Sequence, residues 1–172
     1  MHLDNVNPAK IREMLLMRHN QERTSRGVAP YAYHSDLEKS AQTRADQLKA
    51  EERTSNTHLR NAGDGYYSYA SITDWFATLG IQFPSAGGGK VAFSENIGRG
   101  YYTCNTTDCT EKLITALKTT RDFFMSEKGR NGEHYRAITM GNFTQMGIGV
   151  SIDTEKKRYY LVIHYGIDIM GS

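Results

Sequence analysis

A chain of 172 residues has the length of one domain and is too short for two independent cores joined by a long linker. Hydrophobic residues make up 38% and charged residues 23%, with 21 Lys and Arg against 19 Asp and Glu, which excludes the composition of a disordered chain. The net charge of +2 lies in mixed-sign segments, so no broad basic face for nucleic acid is encoded, and no run of about 18 apolar residues exists to cross a membrane.

Met1 to Asn7 is polar, and the apolar stretch Met14 to Met17 is shorter than a secretory h-region. The chain therefore reads as cytosolic, or as a form whose targeting segment has been removed.

Asn7-Pro8 predicts a helix start, with a side-chain acceptor at the cap and proline where its missing N–H costs nothing. Ile11, Met14, Leu15 and Met17 supply an apolar face, and the polar run His19 to Arg26 before Gly27 predicts the helix end. Pro30 then imposes an extended link. Ser35 with Glu38 forms a capping-box pattern, followed by Leu37, Ala41, Ala45 and Leu48 at helical spacing.

From Arg53 to Tyr69 the periodicity disappears into a long loop that contains His58, and unstructured loops of that length tend to be functional. Ser71 with Asp74 predicts the cap of a short helix through Ile72, Trp75, Phe76 and Leu79, ended by Gly80. Pro84 and Gly87-Gly88-Gly89 predict a turn. Val91 to Ile97 predicts a strand arriving at Gly98 and Gly100, and Thr107 or Asp108 predicts the cap of a helix carrying Leu113, Ile114, Leu117, Phe123 and Phe124.

In the last third the period changes to two: Met146, Ile148, Val150 and Ile152 alternate with Gly147, Gly149 and Ser151. A turn at Asp153 to Arg158 and a β-rich run from Tyr159 to Tyr165 complete a hairpin with one buried face. Lys156, Lys157 and Arg158, the densest basic run, read as its solvated tip. The order of elements predicts an α+β fold with helices packed on an antiparallel sheet.

Of six histidines, His2, His19, His34 and His164 read as terminal, surface, cap-adjacent and packed residues respectively. His58 and His134 lie in polar, glycine-flanked segments that can present a side chain to solvent. Glu95 and Glu127, at the ends of expected elements, are their natural companions. Two imidazoles can hold a cation while a carboxylate accepts a proton from bound water. The bland alternative has Glu95 fixing a loop through backbone N–H groups and Glu127 solvated.

Cys104 and Cys109 are spaced for a small disulfide loop or for two unrelated thiols, and form a poor zinc knuckle. Asn105-Thr106-Thr107 and Asn142-Phe143-Thr144 match the weak glycosylation sequon, while no nucleophile elbow, H-E-x-x-H, Walker loop or dinucleotide fingerprint is present.

In order along the chain, several segments resemble the CAP superfamily, or SCP domains: cysteine-rich secretory proteins, venom antigen 5 and plant pathogenesis-related proteins. They are Leu15-Leu16 with His19-Asn20 and Arg23, Gly27 to Pro30, Tyr33 where the family often has Trp, and Leu37, Ala41-Gln42, Ala45 and Leu48. Next come His58, then Ser94-Glu95-Asn96-Ile97, similar to a Gly-Glu-Asn motif with Ser replacing Gly, then Gly132-Glu133-His134-Tyr135. Phe143-Thr144, Met146 to Val150, Tyr159-Tyr160 and Tyr165-Gly166 complete the match. Few cysteines and short loops resemble the bacterial members.

The resemblance implies one domain over residues 1–172, with its core at about 10–168, folded as a three-layer α-β-α sandwich around a central antiparallel sheet. It implies a cleft where His58 and His134 act as metal ligands beside Glu95 and a second carboxylate, Glu127 or else Glu133. It also implies secretion, hence an extracellular or cell-surface location and a Cys104–Cys109 disulfide. The function it implies is a non-enzymatic binding module taking a divalent cation such as Zn²⁺, a small ligand or a lipid. Two protein ligands imply weak Zn²⁺ occupancy. Two rival readings use the same chain: a metal-assisted hydrolase with Glu95 or Glu127 as base, and an adhesin contacting partners through Tyr66, Tyr67, Tyr101 and Tyr102.

Overall fold

The computed structural model describes residues 4–84, 92–167 and 170–171. His2, the glycine triplet at 87–89 and the expected strand start at Val91 lie outside the described residues. The elements are α1 (Pro8–Thr24), β1 (Ala32–Tyr33), α2 (Ser35–Ala50), α3 (Tyr69–Thr78), β2 (Ile81–Gln82), β3 (Phe93–Tyr101) and α4 (Thr110–Ser126). A 3₁₀ turn (Glu127–Arg130), α5 (Glu133–Thr139), β4 (Gln145–Asp153), β5 (Arg158–Gly166) and β6 (Met170–Gly171) follow.

The main sheet has the order β1-β4-β5-β3. β5 pairs antiparallel with β3 and β4, but β1 runs parallel to β4, so the sheet is mixed and not purely antiparallel. β1 and β4 are joined not by a hairpin but by the long crossover through α2 to α5, the kind of connection a parallel pair requires. β2 and β6 form a separate antiparallel pair.

Alternation along β5 divides the core into two faces. Tyr159, Leu161, Ile163 and Tyr165 pack with Ile11 and Leu15 of α1, Leu113, Leu117 and Phe124 of α4, and Ala137 and Ile138 of α5. Tyr160 and Val162 point the other way, against Ala41, Ala45 and Leu48 of α2. The hairpin is thus buried on both faces, where alternation alone suggests one. On β4 the second face is the glycine face: a Cβ on Gly147 would lie 2.1 Å from the Glu38 nitrogen, and one on Gly149 2.2 Å from the Gln42 nitrogen. Those glycines let α2 lie directly on the strand, which hides the second buried face from a hydrophobicity pattern.

Helix starts differ from the expected caps in three places. Asn7 caps α1 as expected, with its side chain accepting from the Lys10 N–H. α2 is capped by His34, whose Nδ1 accepts from the Asp36 N–H, so Ser35 is already helical. α3 is capped by Ser68 rather than Ser71. Cys109 occupies the cap of α4, while Asp108 accepts from the Thr110 N–H. β3 runs through Gly98 and Gly100 to Tyr101, because Gly98 leaves room for Thr120 of α4: a Cβ there would meet its methyl at 2.1 Å.

The polar end expected for α1 is also corrected. His19 and Arg23 are buried. The Arg23 guanidinium donates to the carbonyls of Ala29, Ile138, Met140 and Phe143, and lies over the Tyr31 ring. One buried cation thereby ties the end of α1 to the end of α5. The basic hairpin tip is pinned as well: Lys156 pairs with Glu52, Lys157 with Asp4, and Arg158 donates to the Tyr101 hydroxyl.

Candidate functional site

Beside the edge strand β3, a cleft of about 290 Å³ is lined by His58, Tyr66, Tyr67 and Tyr69 on one wall and by Glu133, His134 and Arg136 on the other. Residues Phe93 to Asn96 of β3 lie between them. Both histidines singled out in the sequence therefore open onto one cavity.

Glu95 and Asn96 are adjacent on a strand, so they point to opposite faces of the sheet. Glu95 shares the α2 face with His164, its cross-strand partner on β5. Asn96 faces α5, where its amide donates to the His134 carbonyl and to the Tyr165 hydroxyl. His19 donates through Nδ1 to the Leu15 carbonyl, so its Nε2 must accept, here from the Tyr165 O–H. Asn96 thus fixes the backbone that presents His134.

Glu95 is fully enclosed and fully engaged. Its Oε1 accepts from His58 Nδ1 at 2.9 Å and Arg60 Nη1 at 2.9 Å. Its Oε2 accepts from Arg60 Nη2 at 2.6 Å and His164 Nε2 at 2.6 Å. Burial by itself would raise its pKa, but the Arg60 charge and the bonds from His164, His58 and Arg60 outweigh burial and hold it well below the ordinary carboxylate range. A carboxylate can only accept, so His58 must carry a proton on Nδ1, and in the neutral ring the lone pair is then on Nε2.

The other half is built on the same plan. Glu127 is buried, not solvated, and its Oε1 accepts from His134 Nδ1 at 3.0 Å and Arg130 Nη2 at 3.0 Å. Its Oε2 accepts from the His134 N–H at 2.9 Å and the Tyr135 N–H at 3.4 Å, capping α5, whose own cap residue Gly132 has no side chain to do so. Burial pushes the Glu127 pKa up, and the bond and charge of His134 with the other donors bring the balance below the usual value. Gly132 must be glycine here, since a Cβ would sit 2.6 Å from Glu127 Oε2. His134 stacks on Phe124, with ring centroids 4.8 Å apart and planes within 7°. Between the two carboxylates considered, Glu127 is the one bonded to His134, while Glu133 is exposed at the cleft wall.

Several expectations change. His58 lies in the loop between α2 and α3 as expected, but is only 6% exposed and packs against Tyr66 and Tyr67. Glu95 is held by side chains and not by backbone N–H groups. Of the four tyrosines named for an adhesive surface, Tyr66 and Tyr101 are exposed, but Tyr102 is buried and donates to Asp4. Sequence reading missed Arg60 and the role of His164. Arg60, two residues beyond His58 in the same loop, carried no periodic or motif signal.

Cys104 and Cys109 are joined in a disulfide. Among the described residues, the one group of three possible ligand atoms within 4.8 Å of one another is Asp4, Cys104 and Cys109, and there the two sulfurs are bonded to each other. The cleft instead offers two imidazoles, each backed by a carboxylate, the arrangement that orients metal-ligating histidine.

Residues 16–165 match the profile of the cysteine-rich secretory protein family, CAP. The chain belongs to that family. No curated protein matches this CAP chain by sequence. Solved structures similar to it include an outer surface protein from Borrelia burgdorferi, at 11% identity and TM-score 0.64, covering 97% of this chain and 98% of that one. An extracellular SCP-domain protein from Bacillus anthracis is 13% identical with TM-score 0.57, covering 96% of this chain and 45% of that one, so this chain spans less than half of that protein. NaASP2, solved with Zn²⁺, is 14% identical with TM-score 0.56, covering 96% of this chain and 84% of that one. Among the described residues, no helix of this CAP domain is long and apolar enough to cross a membrane.

Proposed function

We propose that this CAP domain is an extracellular or cell-surface binding module whose cleft takes a divalent cation, Zn²⁺ for example, through the Nε2 atoms of His58 and His134. The observation that carries the reading is that both rings line one cleft and each has its Nδ1 bonded to a buried carboxylate, Glu95 or Glu127. Zn²⁺ bound there would supply Lewis acidity, with water or a ligand donor completing its shell. The chain's own residues orient the rings and, through Tyr66, Tyr67 and Tyr69, wall the space in which a small ligand or lipid would lie. The Zn²⁺-bound NaASP2 supports the choice of ion, and the disulfide together with the extracellular and outer-surface relatives supports the location.

Glu95 and Glu127 act here as positioning residues. Each accepts four hydrogen bonds and neither keeps a vacant basic site, which weighs against the hydrolase reading.

Calorimetric Zn²⁺ titration tests the proposal. Binding is expected in the unaltered chain, with heat lost in both His58→Ala and His134→Ala. Equal binding in all three proteins would overturn it, and turnover of a peptide library abolished by Glu95→Gln would reinstate the hydrolase.

A further inference from the structure

We infer that Arg60 and His164 are positioning residues for the cleft: they hold the ionised Glu95 carboxylate in the one orientation that His58 Nδ1–H meets, and so keep His58 in the tautomer that turns its Nε2 lone pair to the cavity. The inference rests on the cleft-binding reading for its consequence, but the tautomer it assigns is a property of the metal-free chain.

Donor and acceptor counting carries the argument. Glu95 has four lone-pair sites, and its side chain has no solvent exposure through which water could compete for them. Arg60 fills one site on each oxygen as a two-pronged donor, and His164 fills the second on Oε2. The site left on Oε1 receives His58 Nδ1. An acceptor with one opening imposes a donor, so Nδ1–H is required and in the neutral ring Nε2 is bare.

His164 is itself held in the donor state required of it. Its Nε2–H donates to Glu95, and its Nδ1 lies 2.7 Å from Ser40 Oγ on α2, which itself donates to the Leu37 carbonyl at 3.0 Å and so holds the ring from the far side. Edge contacts from Trp75 and Phe76 of α3 confine that ring. Arg60 is fixed by two further contacts: its Nη1 donates to the His58 carbonyl, and its guanidinium lies 4.4 Å from the Trp75 ring centroid. The hydrogen-bonded network therefore runs from α2 through β5 and β3 to the loop that carries His58, with the rings of α3 packed against it.

A single point charge at position 60 would not reproduce this, because lysine cannot bond both carboxylate oxygens in one plane. At His164, glutamine keeps an N–H donor, whereas leucine removes it.

The test uses two-bond ¹H–¹⁵N correlation spectra of the metal-free chain, which report the protonated nitrogen of each histidine, followed by Zn²⁺ calorimetry. The unaltered chain is expected to show His58 protonated at Nδ1. Arg60→Gln and His164→Leu should change this to a mixed pattern and weaken Zn²⁺ about 10- to 100-fold, the usual effect of removing a group that orients a ligand. His164→Gln should restore both readouts. His58 found protonated at Nε2 in the unaltered chain overturns the inference without any variant having to fold. An unchanged His58 pattern in folded Arg60→Gln and His164→Leu overturns it too. Loss of the cleft-binding reading is read separately, as no Zn²⁺ heat from the unaltered chain despite the Nδ1–H pattern.

Discussion

At the scale of single residues, the two halves of the site reach the same arrangement by different means. His58 is buried, and its carboxylate partner is locked from all sides by side chains. His134 is partly open, and its partner Glu127 is held by backbone N–H groups and by Arg130, whose side chain is 72% exposed. An exposed ion pair of that kind contributes little, so the close approach of Gly132 and the cap it permits fix Glu127. Gly132→Ala should therefore displace Glu127 and cost about 1–3 kcal/mol, the range for forced overpacking. Urea unfolding measures the loss, and an unchanged midpoint would refute the role given to the glycine.

His58, His134, Glu95 and Glu127 were legible in the sequence through resemblance to CAP domains. Arg60 and His164 were not. An arginine in an aperiodic loop and a histidine in an apolar strand look respectively solvated and packed, and only the fold brings both to one carboxylate.

At the scale of elements, α2 lies with its backbone directly on β4. Gly147 and Gly149 leave no room between helix backbone and strand. Gln42 of the same helix uses its amide as a substitute strand, accepting from the Val150 N–H and donating to the Val150 carbonyl. That pair blunts the edge of β4 beyond the two residues covered by β1, protection an exposed strand edge needs. A methyl group at 149 would have to push α2 off the sheet. Gly149→Ala should lower stability by at least about 1–3 kcal/mol, while the exposed Gly63→Ala, with nothing near its Cβ, should leave the stability read from thermal unfolding within about 0.5 kcal/mol of the original. Equal effects at the two positions would contradict this account of the interface. The sequence made the hairpin plain by its alternation but concealed the second buried face, because glycine is silent in a hydrophobic pattern. α5 was missed for another reason: it has seven residues and is capped by a carboxylate from outside the helix.

At the scale of the whole molecule, buried titratable groups make stability depend on pH in two stages. His19 is kept neutral, with burial pushing its pKa down to about 4 despite the Leu15 carbonyl that accepts from it. The unfolded chain takes up that proton below about pH 6.5 and the folded chain only near 4, so stability falls as pH drops through this window. The gap is worth about 3 kcal/mol. His164 shifts in the same direction, burial outweighing Glu95. The depressed carboxylates follow: what Glu95 and Glu127 contribute is present above the unfolded value of about 4.3 and is lost as pH falls through their lower folded values. Urea midpoints should decline from pH 6.5 to 4 and again below 4, and His19→Gln should flatten the first decline. Retention of the full first decline in that variant would show that His19 does not cause it.

The amino-acid sequence by itself determined the helices with apolar faces, the hairpin, the α+β class and, by resemblance, the two histidines and their carboxylates, because periodicity and short motifs are local properties of a chain. The tertiary structure alone decided the parallel β1, the burial of His19 and Arg23, and the joining of Arg60 and His164 to Glu95. Those depend on contacts between residues 35 or more positions apart, such as Arg60 with Glu95 and His164 with Glu95, and the charge and tautomer of a buried group are set by what surrounds it in space.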